Sequence, residues 1–275
     1  MTIDAHQHFW RYNAADFDWI GEPMQAIRRD FLPGDLQREI AAAGVDGVVS
    51  VQARQTLEET RWLLELAGQH DFIKGVVGWV ELASSRVRAD LERFAADQKF
   101  KGARHVVQDE PDEHFILRDD FNRGVAALGD LGLRYDILIF ERHLPQAIEF
   151  VDRHPGQVFI LDHLAKPKIK ANEFSPWREN LRELARRPHV YCKLSGLVTE
   201  ADHAAWTEAA LHACCDVALE AFGPRRLMFG SDWPVCLLAC GYARWRRLVA
   251  AWIQPLSPDE QARILGGTAI EAYRL

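Results

Sequence analysis

The sequence predicts an α/β protein that folds as a closed (β/α)8 TIM barrel in one domain. About eight short apolar segments alternate with longer segments of helical periodicity. Strands that alternate with helices are joined by parallel crossovers, and eight such units can close a barrel. The chain has 275 residues, which fits one barrel of about 250 residues. Because no Gly/Ser-rich or Pro-rich linker interrupts the chain, we expect a single domain spanning residues 1–275.

The predicted strands are short runs rich in apolar and β-branched residues, and they cover 3–8, 45–53, 73–81, 100–107, 133–140, 157–164, 190–195 and 226–232. Amphipathic segments between them predict helices at 57–69, 87–96, 121–131, 144–153, 177–186 and 203–221. An open, doubly wound sheet is the competing architecture. It is disfavoured because the phosphate-binding G-x-G-x-x-G pattern does not follow the first strand.

Charge and cysteine content exclude several classes of partner. The chain has 33 Lys and Arg against 40 Asp and Glu, so its net charge of -7 predicts binding neither to nucleic acid nor to an anionic membrane. No apolar run approaches the ~20 residues that a membrane-spanning helix needs. The amino terminus lacks the pattern of a secretion signal, so we expect a cytoplasmic protein. Five cysteines without a C-x-x-C pair predict reduced, buried thiols.

Four chemically active side chains are predicted at the carboxyl ends of strands, where barrel enzymes build their active sites. His6 and His8 lie two residues apart on the first strand, so both imidazoles face one side and can chelate a metal or polarise a carbonyl. His163 ends the sixth strand and Asp232 ends the eighth. Structural roles are the alternative: a helix N-cap for Asp232 and hydrogen-bonded core histidines. Their occurrence together predicts a catalytic site with Asp232 as the general base.

Five motifs together resemble the amidohydrolase superfamily, and they are H-Q-H at 6–8, D-H-L-A-K-P at 162–167, Y-C-K-L-S-G at 191–196, G-S-D-W-P at 230–234 and I-L-G-G-T-A at 264–269. More narrowly, the chain resembles the amidohydrolase-related group that includes sugar lactonases and a pyrone-dicarboxylate lactonase. The resemblance extends from the first strand to the last helix. It implies a distorted (β/α)8 barrel in which histidines of the first, fifth and sixth strands and an eighth-strand aspartate surround a metal-activated water.

The chain departs from the superfamily's pattern at the fifth strand. The predicted strand at 133–140 has no histidine at its end, and the nearest one, His143, lies beyond it. His6, His8 and Asp232 still supply three ligands for a zinc ion, with weakened affinity. The resemblance also extends to lactonases thought to work without a metal. We therefore expect that no cofactor is strictly required and that one divalent metal ion, zinc, binds weakly.

The resemblance implies hydrolysis of a sugar lactone to the sugar acid, and it favours L-fuconolactone or a related L-sugar lactone. A lactone is an activated ester, so a positioned base and electrostatic help at the carbonyl can suffice. We expect Asp232 to deprotonate a water molecule, and His6, His8 and His163 to stabilise the oxyanion directly or through a metal. Two alternatives stay open: a metal-dependent amidohydrolase or decarboxylase acting on a small carboxylate, and a catalytically inactive barrel that binds a sugar.

Hydrogen-bond donors for such a substrate are predicted on two further strands. Arg104 and His105 end the fourth strand and Lys193 lies on the seventh, so all three can reach a carbonyl or a sugar hydroxyl. The alternative is that Arg104 or Lys193 pairs with a barrel carboxylate such as Glu81 or Asp136.

Tryptophans are the predicted walls of the sugar pocket. Trp10, Trp79 and Trp233 lie nearest to strand ends, and aromatic faces pack well on the C–H faces of sugars. Two segments without periodicity, 11–35 and 108–119, predict long loops above the same end of the barrel.

Overall fold

The computed structural model describes residues 1–275, and its eight parallel strands follow one another in sequence order around a barrel. The strands are β1 (Ile3–Gln7), β2 (Gly47–Val51), β3 (Ile73–Gly78), β4 (Phe100–Val106), β5 (Arg134–Leu138), β6 (Phe159–Leu161), β7 (Val190–Leu194) and β8 (Leu227–Phe229). Each pairs in parallel with the next strand. Gln7, the last residue of β1, and Trp233, which follows β8, form the parallel bridge that closes the barrel. The predicted (β/α)8 barrel is confirmed, and the open doubly wound sheet is excluded.

Ten α-helices accompany the strands, and they are α1 (Pro33–Ala43), α2 (Leu57–Gln69), α3 (Val87–Ala95), α4 (Asp119–Asp130), α5 (Leu144–Asp152), α6 (Trp177–Ala185), α7 (Glu208–Phe222), α8 (Tyr242–Ile253), α9 (Pro258–Ala262) and α10 (Thr268–Tyr273). The helix predicted at 203–221 begins only at Glu208, because the Thr207 hydroxyl accepts the N–H of Ala210 and caps the helix there. None of the helices combines the length and apolar character that crossing a membrane requires.

The segment predicted as a loop at 11–35 contains more structure than expected. It holds a short 3-10 helix at Glu22–Ile27, and α1 already begins at Pro33. Proline at the first helical position has its φ angle preset for a helix, and the Asp35 carboxylate accepts the N–H of Leu32. The remainder is a long loop that follows β1 at the carboxyl end of the barrel, as predicted.

The carboxy-terminal helix α10 closes the amino-terminal end of the barrel. Ala272 and Tyr273 pack against apolar side chains inside the barrel, including Val49 and Ile160. The Tyr273 hydroxyl donates to the Asp136 carboxylate, 2.7 Å from Oδ2. Since this end is plugged, the interior is reached from the carboxyl ends of the strands. The five cysteines are buried and unpaired, which agrees with the expectation of buried thiols.

Candidate active site

His6 of β1 and His8, the residue directly after β1, form the base of the site. The alternation of the strand places His6 and His8 on the same side, with their Nε2 atoms 3.1 Å apart. The Nδ1 atom of His8 lies 2.8 Å from the main-chain carbonyl of Val51. A carbonyl only accepts hydrogen bonds, so the neutral His8 ring carries its proton on Nδ1. The Nε2 lone pair of His8 therefore points into the site.

The Asp232 carboxylate lies beside three imidazoles. Its Oδ1 atom is 3.4 Å from Nε2 of His8, 3.7 Å from Nε2 of His6 and 3.9 Å from Nε2 of His163. Both Asp232 and His163 have positive φ angles, of 57° and 53°, a conformation that residues other than glycine rarely adopt. Such strained residues concentrate at functional sites. The structure thus brings together all four residues that were predicted to be catalytic.

The orientation of His163 depends on the residues that follow β7. Its Nδ1 atom lies 2.8 Å from the Ser195 hydroxyl oxygen. The next residue, Gly196, has a φ of 68°, and a Cβ atom at this position would lie only 2.6 Å from the His163 ring. Only glycine combines this backbone conformation with the close approach of the imidazole.

A buried charge network supports the site from inside the barrel. Lys193 Nζ lies 2.5 Å from Oδ2 of Asp136 and 2.9 Å from Oδ1 of Asp162. Arg104 Nη1 lies 2.9 Å from the other oxygen of Asp162. Lys193 Nζ also lies 3.1 Å from Nδ1 of His6. Arg104 and Lys193 are therefore paired with barrel carboxylates, and the network holds one face of His6.

The protonation states of the site follow from its burial and its charges. Burial lowers the pKa of His6 well below its usual value and lowers the pKa of His163 to about 4. Burial alone would raise the pKa of Asp232, but the adjacent histidines, His163 first, hold it below its usual value. At neutral pH the site therefore presents an ionised carboxylate to the neutral imidazoles of His6 and His163.

A cavity of about 700 Å³ opens above this cluster at the carboxyl end of the barrel. His8, His163, Asp232 and Arg104 contribute to its lining. Many of its other lining residues are polar or charged and come from loops that follow different strands, and they include Asp16, Asp18, Arg54, Gln55, Gln108, Asp109, Lys166, Glu200 and His203. This volume and this lining suit a small polar ligand.

Comparisons with known proteins identify the family. Residues 3–275 match the amidohydrolase family. The chain belongs to the amidohydrolase family. It is 45% identical to an L-fucono-1,5-lactonase of Burkholderia multivorans, an alignment that covers 100% of this chain and 96% of that protein. It is 40% identical, with the same coverage, to an L-fucono-1,5-lactonase of Burkholderia ambifaria. It is also similar to a solved amidohydrolase of B. multivorans with bound zinc, with a TM-score of 0.96, 46% identity and coverage of 100% of this chain and 99% of that one.

In this amidohydrolase, Arg104 lines the cavity, but the other five residues that were predicted to contact substrate do not. Lys193 is fully buried below the site. Trp79 Nε1 donates to Nδ1 of His105 over 3.3 Å, and Nε2 of His105 lies 2.6 Å from the Glu110 carboxylate. The polar atoms of Trp79 and His105 are therefore satisfied by protein partners.

Trp10 and Trp233 pack into the core and do not form a wall of the cavity. Both are buried, and both rings contact Phe31 edge-on, with centroid distances of 5.6 and 5.1 Å. The tryptophan that does line the cavity is Trp19, in the loop after β1, and it is 39% exposed. Trp19 was not predicted because its segment has no periodicity that indicates which way the ring faces.

Asp162 and Ser195 are further residues of the site that were not predicted from the sequence. Asp162 immediately precedes His163, and Ser195 immediately follows β7. Both lie inside recognised motifs, D-H-L-A-K-P and Y-C-K-L-S-G. Their position at strand ends is the signal that could have identified them, because carboxyl-end residues of barrel strands form active sites.

The donor atoms of the site fit a zinc ion. His6, His8 and Asp232 each offer one ligand atom, and these atoms lie within 4.8 Å of one another. Two imidazole nitrogens and a carboxylate oxygen are ligands that catalytic zinc sites use. The hydrogen bond from His8 Nδ1 to the Val51 carbonyl is also the kind of contact that orients metal-bound histidines.

Proposed function

We propose that this protein is a hydrolase that opens a sugar lactone to the sugar acid, with L-fuconolactone or a close L-sugar relative as substrate. The observation that carries the proposal is the Asp232 carboxylate, which lies beside His8 and His163 and faces a cavity lined by charged side chains. Identities of 40% and 45% to two L-fucono-1,5-lactonases over the full chain support the same substrate class.

Asp232 acts as the general base in this proposal. Its carboxylate takes a proton from a water molecule, and the Nε2 lone pair of His8, 3.4 Å away, accepts a second hydrogen bond from that water. The hydroxide attacks the lactone carbonyl carbon, and the bond to the ring oxygen then breaks. Asp232 returns the proton to that oxygen as it leaves.

Histidine side chains stabilise the negative charge that develops on the carbonyl oxygen. If the Ser195 hydroxyl donates to Nδ1 of His163, the neutral ring carries its proton on Nε2 and donates it toward the cavity. His6 lies at the centre of the cluster, and Lys193 and Asp162 hold its other face. An ester requires less carbonyl activation than an amide, so these dipoles are suited to a lactone.

We further propose that His6, His8 and Asp232 bind one zinc ion weakly. When bound, zinc would polarise the substrate carbonyl as a Lewis acid. The family's fifth-strand histidine has no counterpart here, because β5 ends at Leu138 and His143 lies in the following turn. Three protein ligands are enough for a catalytic zinc site, but the missing ligand lowers the affinity.

The test is proton release when freshly prepared aldonolactones are added to chelator-treated protein in weak buffer. We expect rapid acidification with L-fuconolactone or a relative, and a loss of about 10²- to 10⁴-fold in the Asp232→Asn variant with an unchanged melting temperature. Near-wild-type turnover in that variant would contradict the role of Asp232.

The competing functions give different results in the same experiment. If no lactone of the panel causes proton release, with or without zinc, the lactonase proposal is overturned. Tight binding of one zinc ion per chain, together with no lactone hydrolysis, would favour an amide hydrolase or a decarboxylase. Sugar binding without turnover would indicate a catalytically inactive barrel.

A further inference from the structure

We propose that Lys166 and Glu200 form a subsite that binds one hydroxyl group of the lactone and thereby selects among lactones. This inference rests on the proposed function and assigns two specificity-determining residues to it. Neither residue belongs to the group of His6, His8, His163 and Asp232 that carries out the reaction.

The two side chains face the same cavity as Asp232 and lack protein hydrogen-bond partners. Lys166 Nζ lies 3.9 Å from Oε1 of Glu200, and the side chains are only 18% and 24% exposed. The ammonium group makes no hydrogen bond to the protein; it contacts the Phe140 ring, 5.3 Å from the centroid. The Glu200 carboxylate likewise accepts no hydrogen bond from the protein. Half-buried charges without hydrogen bonds are costly unless water or a ligand satisfies them.

The free-energy cost of burying the Glu200 carboxylate is only partly offset by the nearby Lys166 ammonium group. Burial raises the pKa of its carboxyl group, and the nearby Lys166 ammonium opposes this rise without cancelling it. A hydrogen-bond donor that entered the cavity would therefore find an acceptor that the protein leaves free.

A hydroxyl group matches the pair. It accepts a hydrogen bond from an ammonium and donates one to a carboxylate at the same time. With 3.9 Å between Nζ of Lys166 and Oε1 of Glu200, a single hydroxyl oxygen can lie about 2.8 Å from both atoms. An anionic substituent would be repelled by Glu200, and an apolar one would leave both charges without partners.

The main chain holds this subsite firmly against the catalytic residues. His163, Leu164, Ala165 and Lys166 are four consecutive residues with positive φ, from 52° to 57°. This strained segment directs both the His163 imidazole and the Lys166 side chain into the cavity. Glu200 comes from the loop after β7, which follows Ser195, the partner of His163. A hydroxyl group bound by Lys166 and Glu200 therefore has a fixed position relative to the catalytic residues, and this fixes the position of the lactone carbonyl as well.

A second lysine–carboxylate pair joins the same two loops and provides a matched control. Lys170 Nζ lies 3.7 Å from Oδ2 of Asp202, with exposures of 71% and 46%. Neither residue lines the cavity. A variant of Lys170 removes a comparable ion pair without altering the proposed subsite.

The experiment compares Lys166→Met, Glu200→Gln and Lys170→Met on two six-membered lactones, a hydroxylated aldonolactone and unsubstituted δ-valerolactone. We expect the first two variants to lose about ten- to hundredfold in kcat/KM on the aldonolactone, the cost of a charged hydrogen bond. Their activity on δ-valerolactone should change less than threefold, and Lys170→Met should match wild type on both substrates. Aldonolactones that each lack one hydroxyl then locate the contact, because one of them should be hydrolysed equally by wild type and Glu200→Gln.

Equal losses on both lactones would overturn the subsite, since they would place Glu200 or Lys166 in the chemical step or in folding. Unchanged kcat/KM on the aldonolactone would overturn it as well. Failure of the proposed function is a different result, in which the wild-type protein hydrolyses no lactone.

Discussion

The main-chain N–H of Asp232 donates a hydrogen bond of 2.8 Å to the carbonyl of His6. Beside it, the N–H of His8 donates to the carbonyl of Trp233 over 2.7 Å. These bonds join the segment directly after β8 to the end of β1, so the barrel closes at the residues that form the site. The position of the proposed general base relative to the histidine pair is therefore set by main-chain hydrogen bonds between the two segments, which hold it more firmly than a free loop would.

Replacing Gly196 by alanine should displace the His163 ring. The added Cβ would lie 2.6 Å from the imidazole, at a φ of 68° that alanine adopts only with strain. We expect at least a tenfold loss in kcat on a sugar lactone and a lower melting temperature. Gly68→Ala is the control, because nothing lies within 4 Å of a Cβ there and alanine favours the α2 helix. Wild-type kcat in Gly196→Ala would show that the position of His163 is not critical.

Replacing Lys193 by methionine should destabilise the barrel. The substitution keeps the side chain's length but removes the cation that contacts Asp136 and Asp162, leaving buried carboxylates short of a partner. Breaking a buried ion pair in this way costs about 3–5 kcal/mol. Chemical denaturation should show this loss in the free energy of unfolding. A change below 1 kcal/mol would mean that the remaining contacts of the carboxylates, from Arg104 and Tyr273, compensate for the lost charge.

Zinc affinity should depend on His8 and not on His105. We expect His8→Gln to weaken zinc binding at least tenfold in isothermal titration calorimetry, because the variant loses one of three ligands. His105→Gln is the control, since that imidazole contacts Trp79 and Glu110 and lies outside the ligand group. Equal affinities in the two variants would place the zinc elsewhere.

The pH dependence of stability should contain a contribution from Glu59. Its carboxylate accepts the N–H groups of Ala53 and Arg54, and burial raises its pKa to about 7. Because the folded-state pKa exceeds the unfolded value of about 4.3, the folded protein binds the proton more tightly. The resulting stability is fully present below about pH 4 and is lost as the pH rises through about 7.

Glu59→Gln removes this titration and should flatten the profile. Between pH 5 and pH 8, the free energy of unfolding of the wild type should fall relative to that of the variant by about 2–3 kcal/mol. Urea denaturation at a series of pH values measures the difference. Parallel profiles would show that Glu59 titrates normally in the folded protein.

The eight strands and the four central residues could be predicted because they depend on local patterns. The alternation of a strand puts His6 and His8 on one side, and the end of an apolar run marks His163 and Asp232. The start of α7 was misplaced by five residues, since an amphipathic pattern continues across the Thr207 cap.

Trp10 and Trp233 could not be placed from the sequence. Both lie next to strand ends, but whether an aromatic ring there faces the cavity or the core depends on the path of distant loops. Here Phe31, brought in by the segment before α1, covers both rings. Trp19 faces the cavity instead, although its own surroundings in the sequence resemble neither a strand nor a helix.

Local sequence patterns were enough to predict the barrel, its single domain and the end of the barrel at which the candidate site lies, because periodicity and strand ends are properties of neighbouring residues. Which charged side chains pair with each other and which remain open to a ligand depends on the folded barrel. Lys193 lies near the carboxyl end of β7, and Lys166 lies in the segment after β6. Lys193 is buried between Asp136 and Asp162, whereas Lys166 faces the cavity with Glu200. These partners lie 31 to 57 residues away in the sequence, so their proximity depends on the closed barrel.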